Sequence, residues 1–533
     1  MTKLSTDQMD VSHTVSHANT LEDYTLRYAP HSFRRWSPGI VAITALGGIA
    51  YLADFSIGAS IGILYGTLNA ILAILVATLI IFLTGLPLAF YGARYNIDLD
   101  LITRGAGFGY YGSVLTSIIF ASFTFIFFAL EGAIMAQGLY LGLNIPLWLG
   151  YLLAVLVVLP LVIYGMKVLT KLQVWTTPLW LILMVGPVIM LVLYKPGIIP
   201  NWLKYTGNGS YPTINMAAVV MGAGIALSLM GQIGEQIDYL RFMPAPTKKT
   251  RKIWWISVIA AGPGWVILGA LKQILGVFLA VYALNKISSS TAIEPVHQFI
   301  AAFEVFVPAK IALLLSVVLV VISQIKINVT NAYSGSLAWT NAYTRITRSY
   351  PGRLVFVVVN LAIALALMEG NMFGVLNKIL GFYSNCAIAW IVTVATDIVV
   401  NKYILGISPK KPEYRRGMLY AVNPVGLVAF TLSAGVAILA YFGVLGNFLS
   451  SYPPVIAIVI AFVMTPIMAI LTKGRYYLRL QDDGIQAPRF DEKGTPSSVA
   501  FLCLSCNKQF ERPDVMYCSR QDGIICSLCK ATE

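Results

Sequence analysis

The sequence predicts an all-α integral membrane protein of twelve transmembrane helices with a small zinc-type module at its carboxyl end. Three observations carry that prediction. Of 533 residues, 58% are hydrophobic and 11% charged, where soluble domains carry about 25% charged residues. Twelve apolar runs are long enough to cross a bilayer core, which takes about 20 residues each. Five of the six cysteines fall between 501 and 533. Such a composition excludes an ordinary soluble enzyme and a disordered or fibrous chain.

The elements follow in order. Residues 1–38 form a polar amino-terminal segment without the apolar core of a cleavable signal, so insertion through the chain's own helices is expected. The apolar runs are 39–65, 69–91, 112–139, 145–165, 173–194, 214–236, 254–284, 309–336, 353–369, 373–401, 418–445 and 452–472. They make up one expected transporter domain, 39–473. Residues 474–500 are polar, with Gly, Pro and charges, and read as a linker. Residues 501–533 form the cysteine-rich module.

Charge placement orients the spans. With a cytoplasmic amino terminus, the inner segments between Lys3 and Arg416 hold 21 Lys and Arg, and the outer segments only Lys195, Lys204, Lys286 and Lys310. Basic residues concentrate on the cytoplasmic side of membrane proteins, so both termini are expected in the cytoplasm and the protein in the cell membrane. The same bias explains much of the net charge of +14, and no nucleic acid partner is expected.

Ionisable groups inside spans are costly and mark cavities or partners. Here they are Asp54, Glu131, Glu235, Asp238, Lys272, Lys326, Lys378 and Asp397. The first and sixth spans are also glycine-rich at comparable places, around Gly47-Gly48 and Asp54, and from Gly222 to Gly231 before Gln232 and Glu235. Interrupted helices at matching positions of two halves point to an inverted-repeat transporter, because a broken helix frees backbone N–H and C=O groups at membrane depth. Glycines also let helices pack closely. Their coincidence with Asp54, Gln232 and Glu235 favours a site.

Several stretches carry a family likeness: Asp23-Tyr24-Thr25-Leu26-Arg27-Tyr28-Ala29-Pro30 with Arg34-Arg35-Trp36, Tyr91-Gly92-Ala93-Arg94-Tyr95, Arg104 to Gly109, Tyr164-Gly165-Met166-Lys167, Gly234 to Phe242, and Asn328 to Gly335. In these the chain resembles the nucleobase:cation symporter-1 family, the purine, cytosine, allantoin and hydantoin permeases, over about residues 21–473. The resemblance implies a LeuT-type five-plus-five inverted repeat with two extra helices. It also implies a central site lined by the first, third, sixth and eighth spans. Relatives offer a stacking Trp and, four residues on, a hydrogen-bonding Gln in the third span; the matching positions here are Phe127 and Glu131. A carboxylate only accepts hydrogen bonds, so Glu131 suits a ligand edge with neighbouring N–H donors, unless it pairs with a lysine of another span. Gln232 both donates and accepts, and Glu235 lies one turn along. Asn331 lies near the relatives' substrate-binding Asn. Asn328 and Asn331 also fit as interhelical contacts, worth about 0.6–2 kcal/mol.

Sodium-coupled relatives hold Na⁺ with a Ser-Thr pair in the eighth span and carbonyls of the broken first span. Here Lys326 and Ile327 stand at the hydroxyl positions, and an ammonium group repels a cation that wants oxygen ligands. Proton coupling through Lys326, with Asp54 as its counter-ion, is therefore expected instead, the alternatives being facilitated transport or a static Asp–Lys pair.

The tail holds Cys503-x-x-Cys506 and Cys526-x-x-Cys529, two CxxC pairs with a zinc-type spacer. Four thiolates from two tight turns complete a tetrahedral site, with redox chemistry as the rival use. Cys518 is a substitute ligand or a free thiol. So small a module needs its metal to fold, and it points to docking or regulation with a cytoplasmic protein partner.

The sequence holds no P-loop, no nucleophile–base motif and no histidine cluster in the spans; His13, His17 and His31 precede them and His297 is expected outside. No enzyme is expected. The expected function is alternating-access import of a purine- or pyrimidine-type base. The alternative is a membrane receptor that senses such a base and reports through its tail.

Overall fold

Ser37 opens the first membrane helix. Its side chain accepts the Ile40 N–H, and Pro38 takes the first helical position, where its missing N–H costs nothing. The helix runs Pro38–Gly47, tightens to a 3₁₀ turn over Gly48–Ala50, and stops at Tyr51, whose ψ of 149° is extended. It resumes at Ala53 and continues to Tyr95. The computed structural model describes residues 25–370, 372–485 and 499–533, with backbone alone at 166–167 and 372–377. Most of the expected amino-terminal segment and residues 486–498 of the expected linker lie outside the described residues.

Helix Ala53–Tyr95 has 43 residues, about 65 Å at 1.5 Å per residue, or twice a bilayer core. Gly66, with φ of 79°, divides it into the expected first and second spans. A Cβ there would meet the backbone of Thr206, so only glycine turns the chain at this point.

The sixth span behaves differently from the first. Met216–Leu227 and Gln232–Leu240 flank a 3₁₀ turn at Ser228–Gly231, and the backbone keeps right-handed helical angles throughout. Of the two matched interruptions expected from the glycines, the first is an open break and the sixth only a tightened turn.

The remaining spans are Val114–Leu143, Leu147–Ile163, Met166–Tyr194, Arg251–Ala261 with Trp265–Ala283, Ala309–Thr347, Arg353–Glu369, Met372–Thr396 continuing as a π-helical turn to Ile404, Pro424–Tyr441 and Pro453–Leu471. All twelve apolar runs are thus helical. Among the described residues, nine helices are long and apolar enough to cross a membrane, with Ala53–Tyr95 counted once; Pro38–Ala50 and Leu147–Ile163 are shorter apolar helices.

Two packings position the site. The third span lies along the eighth, and Trp265–Ala283 lies along the helix that starts at Ala53. The latter pair meets backbone to backbone, for a Cβ on Gly58 would strike the Gln273 carbonyl and one on Gly276 the backbone of Phe55. This close approach sets Lys272 and Gln273 against the first-span break.

The segments with the most basic residues gather on one face. There Arg104 donates to the Asn341 side chain at 2.6 Å and to the Tyr414 carbonyl at 3.1 Å, Arg345 donates to the Tyr110 carbonyl at 2.9 Å, and Asn96 donates to the Arg241 carbonyl at 2.9 Å. Between these cations Asp100 is buried, and burial and then Asp98 hold its carboxyl above the usual range.

On the same face sits the carboxyl-terminal module, two short antiparallel hairpins and a helix. Ala500–Leu502 pairs with Gln509–Glu511, Val515–Cys518 pairs with Gly523–Cys526, and Ser527–Thr532 closes the chain. The start of the expected linker is packed rather than loose: Tyr477 donates to Asp397, and Asp483 pairs with Arg415 at 3.0 Å.

Candidate substrate and cation site

The open break between Ala50 and Ala53 leaves backbone groups without helical partners, and polar side chains from three other spans converge on it. Glu131 of the third span is fully buried, and its Oε1 accepts the Ala53 N–H at 3.2 Å. From the seventh span, the Lys272 ammonium donates to the carbonyls of Ile49 at 2.6 Å and Tyr51 at 3.0 Å. It also pairs with Asp54 at 2.8 Å and lies 3.8 Å from the centre of the Tyr51 ring. An ammonium has three donors, and all three are used here. The other Asp54 oxygen accepts the Gln273 amide at 2.8 Å.

The expected pairing of Asp54 with Lys326 does not form. Lys326 instead donates to the Gln173 carbonyl at 2.9 Å and to the Thr176 and Thr177 hydroxyls at 3.0 Å each, all on the fifth span. Helix geometry explains this. At about 100° per residue, Lys326 stands roughly 200° around the eighth span from both Gln324 and Asn328. Gln324, Asn328 and Asn331 share the face toward the third span, and Lys326 does not.

Glu131, Glu235 and Asp54 all lie within electrostatic reach of the buried Tyr51. Gln232 donates to Glu235 at 2.6 Å, so the two expected sixth-span residues are joined. Asn331 donates to Asn328 at 3.2 Å, so the eighth-span pair is joined as well. Phe127 is buried against Phe123 with ring centres 4.5 Å apart, and Phe123 in turn packs on Gly231 of the sixth-span turn.

Several buried polar atoms here have no protein hydrogen-bond partner: Glu131 Oε2, Glu235 Oε1, both amide atoms of Gln324, Asn328 Nδ2 and Asn331 Oδ1. The Gln324 amide does face the Glu131 carboxylate, without closing on it. Buried polar groups are nearly always satisfied, so such a concentration marks a place for water or a polar ligand. The site holds three buried carboxylates but one ammonium, which Asp54 already neutralises. Its spare capacity is for hydrogen-bond donors or positive charge.

The roles of Lys272 and Gln273 at the break, and of Gln324 beside Glu131, go beyond the sequence expectations. Gln324 was visible as an amide in an apolar run, one turn before Asn328.

In the tail, the sulfurs of Cys503, Cys506, Cys526 and Cys529 lie within 4.8 Å of one another. Tetrahedral zinc at about 2.3 Å per sulfur needs about 3.8 Å between sulfurs, so the set fits with slight contraction. The Cys526 N–H donates to the Cys503 sulfur at 3.2 Å, and the Cys529 N–H to the Cys526 sulfur at 3.4 Å. Cys518 stands apart, beside Lys530 and Glu533.

No protein-family model and no curated protein sequence matches the chain. Solved structures do. Mhp1, a nucleobase-cation-symport-1 family transporter in a closed conformation with bromovinylhydantoin bound, is 17% identical, covers 87% of this chain and 98% of its own, and superposes with a TM-score of 0.62. Its inward-facing form gives 0.61 over the same share of this chain, at 17% identity and covering 100% of its own. A Na⁺-coupled sialic acid symporter in a substrate-bound outward-open state is 14% identical, covers 83% of this chain and 91% of its own, with a TM-score of 0.54. At such identities the likeness establishes the fold, the LeuT-type arrangement with its broken first helix.

Proposed function

We propose that this chain is a secondary transporter of the nucleobase:cation symporter-1 type, importing a flat nitrogen heterocycle by alternating access and without covalent chemistry. One observation carries the reading: Glu131 and Glu235, buried at an open helix break, each keep one carboxylate oxygen without a partner. Two such acceptors suit a ligand edge with adjacent N–H donors, as in guanine, cytosine or a protonated base. Phe127 supplies an apolar wall, Gln232 sets Glu235, and Asn328 and Asn331 offer a free donor and a free acceptor. The likeness to Mhp1, whose ligand is a hydantoin, supports this class of substrate.

Coupling to protons rather than sodium is part of the proposal. Sodium would need the carbonyls freed by the first-span break, and Lys272 already occupies those of Ile49 and Tyr51. Lys326, held only by neutral acceptors among its hydrogen-bond partners, remains the candidate proton carrier, acting without Asp54. The basic face on which the tail sits supports a cytoplasmic side for both termini. In cells expressing the protein, uptake of labelled guanine, cytosine, hypoxanthine, uracil, allantoin and hydantoin tests both parts. Accumulation of at least one compound is expected, unchanged when choline replaces sodium and abolished by a protonophore. A sodium requirement would overturn the coupling. Binding without accumulation would favour the receptor reading, which the packing of the tail against the bundle also supports.

The four cysteines are assigned to zinc, with Cys503, Cys506, Cys526 and Cys529 as ligands. Elemental analysis of purified protein is expected to find about one zinc per chain. Cys503→Ser should lower that content several-fold, and iron or no metal in the unaltered chain would exclude the assignment.

A further inference from the structure

The module does more than hang from the last span, because it grips two separate parts of the transporter. Its first grip is on the segment leading into the first helix. Glu511 accepts the His31 N–H at 2.7 Å and the Tyr28 hydroxyl. Asp514 accepts the Tyr28 N–H at 3.2 Å and faces the Arg27 guanidinium at 3.6 Å, which itself lies 4.9 Å from the Phe510 ring centre. The second grip is on the loop before the eleventh span. Tyr414 donates to the Pro513 carbonyl at 2.6 Å, Arg415 to the Val515 carbonyl at 2.8 Å and Arg416 to the Lys530 carbonyl at 2.9 Å. Met418 is buried in the module's own apolar core with Phe510, Met516 and Ile525.

From this bridge we infer that the module is a metal-set clamp across the inner mouth, holding the pre-membrane segment 27–31 to the loop 413–418. The inference rests on the alternating-access reading for its meaning, though not for its test. The segment 27–31 is the approach to the half-helix Pro38–Gly47, which lies on the inner side of the open break. It is also tied down by Ala29, which donates to the Asn96 carbonyl at 2.9 Å, and by Arg34, which donates to the Asn96 side chain at 2.7 Å. Any swing of that half-helix away from the bundle must pull 27–31 off Glu511 and Asp514.

Metal enters through where the gripping residues stand. Glu511 and Asp514 lie between the two ligand pairs, on the end of the first hairpin and the turn after it. Strands of three or four residues do not hold such a turn by themselves, since a module this small lacks the core to do so. Binding four thiolates joins the hairpins, and that binding energy becomes folding energy. Loss of the metal therefore releases both carboxylates from their posts.

The test is hydrogen exchange on the full chain in lipid nanodiscs. The backbone N–H groups of Tyr28 and His31 report the clamp directly, since each donates to a tail carboxylate. Chelation of zinc is expected to speed exchange over 25–36 at least about tenfold while the third and eighth spans stay protected. The double variant Glu511→Ala/Asp514→Ala should do the same with its zinc retained, separating docking from folding of the module. Unchanged protection over 25–36 in both cases would overturn the clamp, whether or not any base is transported. In transport, the double variant is expected to move substrate at least about twofold faster with substrate affinity unchanged; a slower or equal rate would deny it a restraining role.

Discussion

Glu131→Gln is expected to reduce substrate binding and uptake by about 30- to 3,000-fold while leaving the fold intact. Glutamine is isosteric, and its oxygen still accepts the Ala53 N–H that Glu131 Oε1 takes at 3.2 Å. Its nitrogen, however, places N–H donors where Oε2 stood free. A ligand edge that offered N–H groups would then meet donors with donors. Removing one partner of a buried charged contact costs about 2–5 kcal/mol, and each 1.4 kcal/mol is a factor of ten. The measurement is a thermal-shift screen against the six heterocycles, followed by uptake. Unchanged binding in E131Q would remove Glu131 from the substrate site. Phe127→Ala serves as the contrast: loss of an apolar wall should weaken all ring ligands alike, without altering their order.

Lys272→Met is expected to destabilise the protein by about 3–5 kcal/mol, because it strands the Asp54 carboxylate in a buried place. The same change orphans the carbonyls of Ile49 and Tyr51, which lose their donor at 2.6 and 3.0 Å. Asp54→Asn/Lys272→Met should recover most of the stability, since no lone charge remains, yet not the shape of the break. The unfolding midpoint in detergent reads the first effect and substrate affinity the second. A single variant as stable as the parent chain would mean that the ammonium does not hold the break.

The spans were legible because an apolar run of bilayer length admits few other fates. Gly47-Gly48 with Asp54 marked the open break. The glycines of the sixth span looked alike in sequence but serve packing: a Cβ on Gly231 would meet Phe123 and one on Gly234 would meet Phe120. Composition alone cannot separate a glycine that breaks a helix from one that admits a ring. Asp54 pairs with Lys272 and not with the expected Lys326. Charge type fitted both, and only the rotation of the eighth span, which turns Lys326 toward Thr176 and Thr177, decides against the first choice. The four thiols were legible from spacing. Their docking was not, for Glu511 and Asp514 look like ordinary surface acids and meet partners 480 or more residues away in the chain.

The turn at Gly66 bears on how the molecule can be handled. Asn208 donates to the Ile63 carbonyl at 2.7 Å, and Thr67 to the Tyr205 carbonyl at 2.9 Å, so residues 205–209 lace the bend shut. A reporter tag or antibody epitope spliced there would meet no slack and would pry apart both strands of the lacing. The stretch around Gly443 and Gly446, where a side chain would find open space, is the better doorway for labels on the face away from the tail.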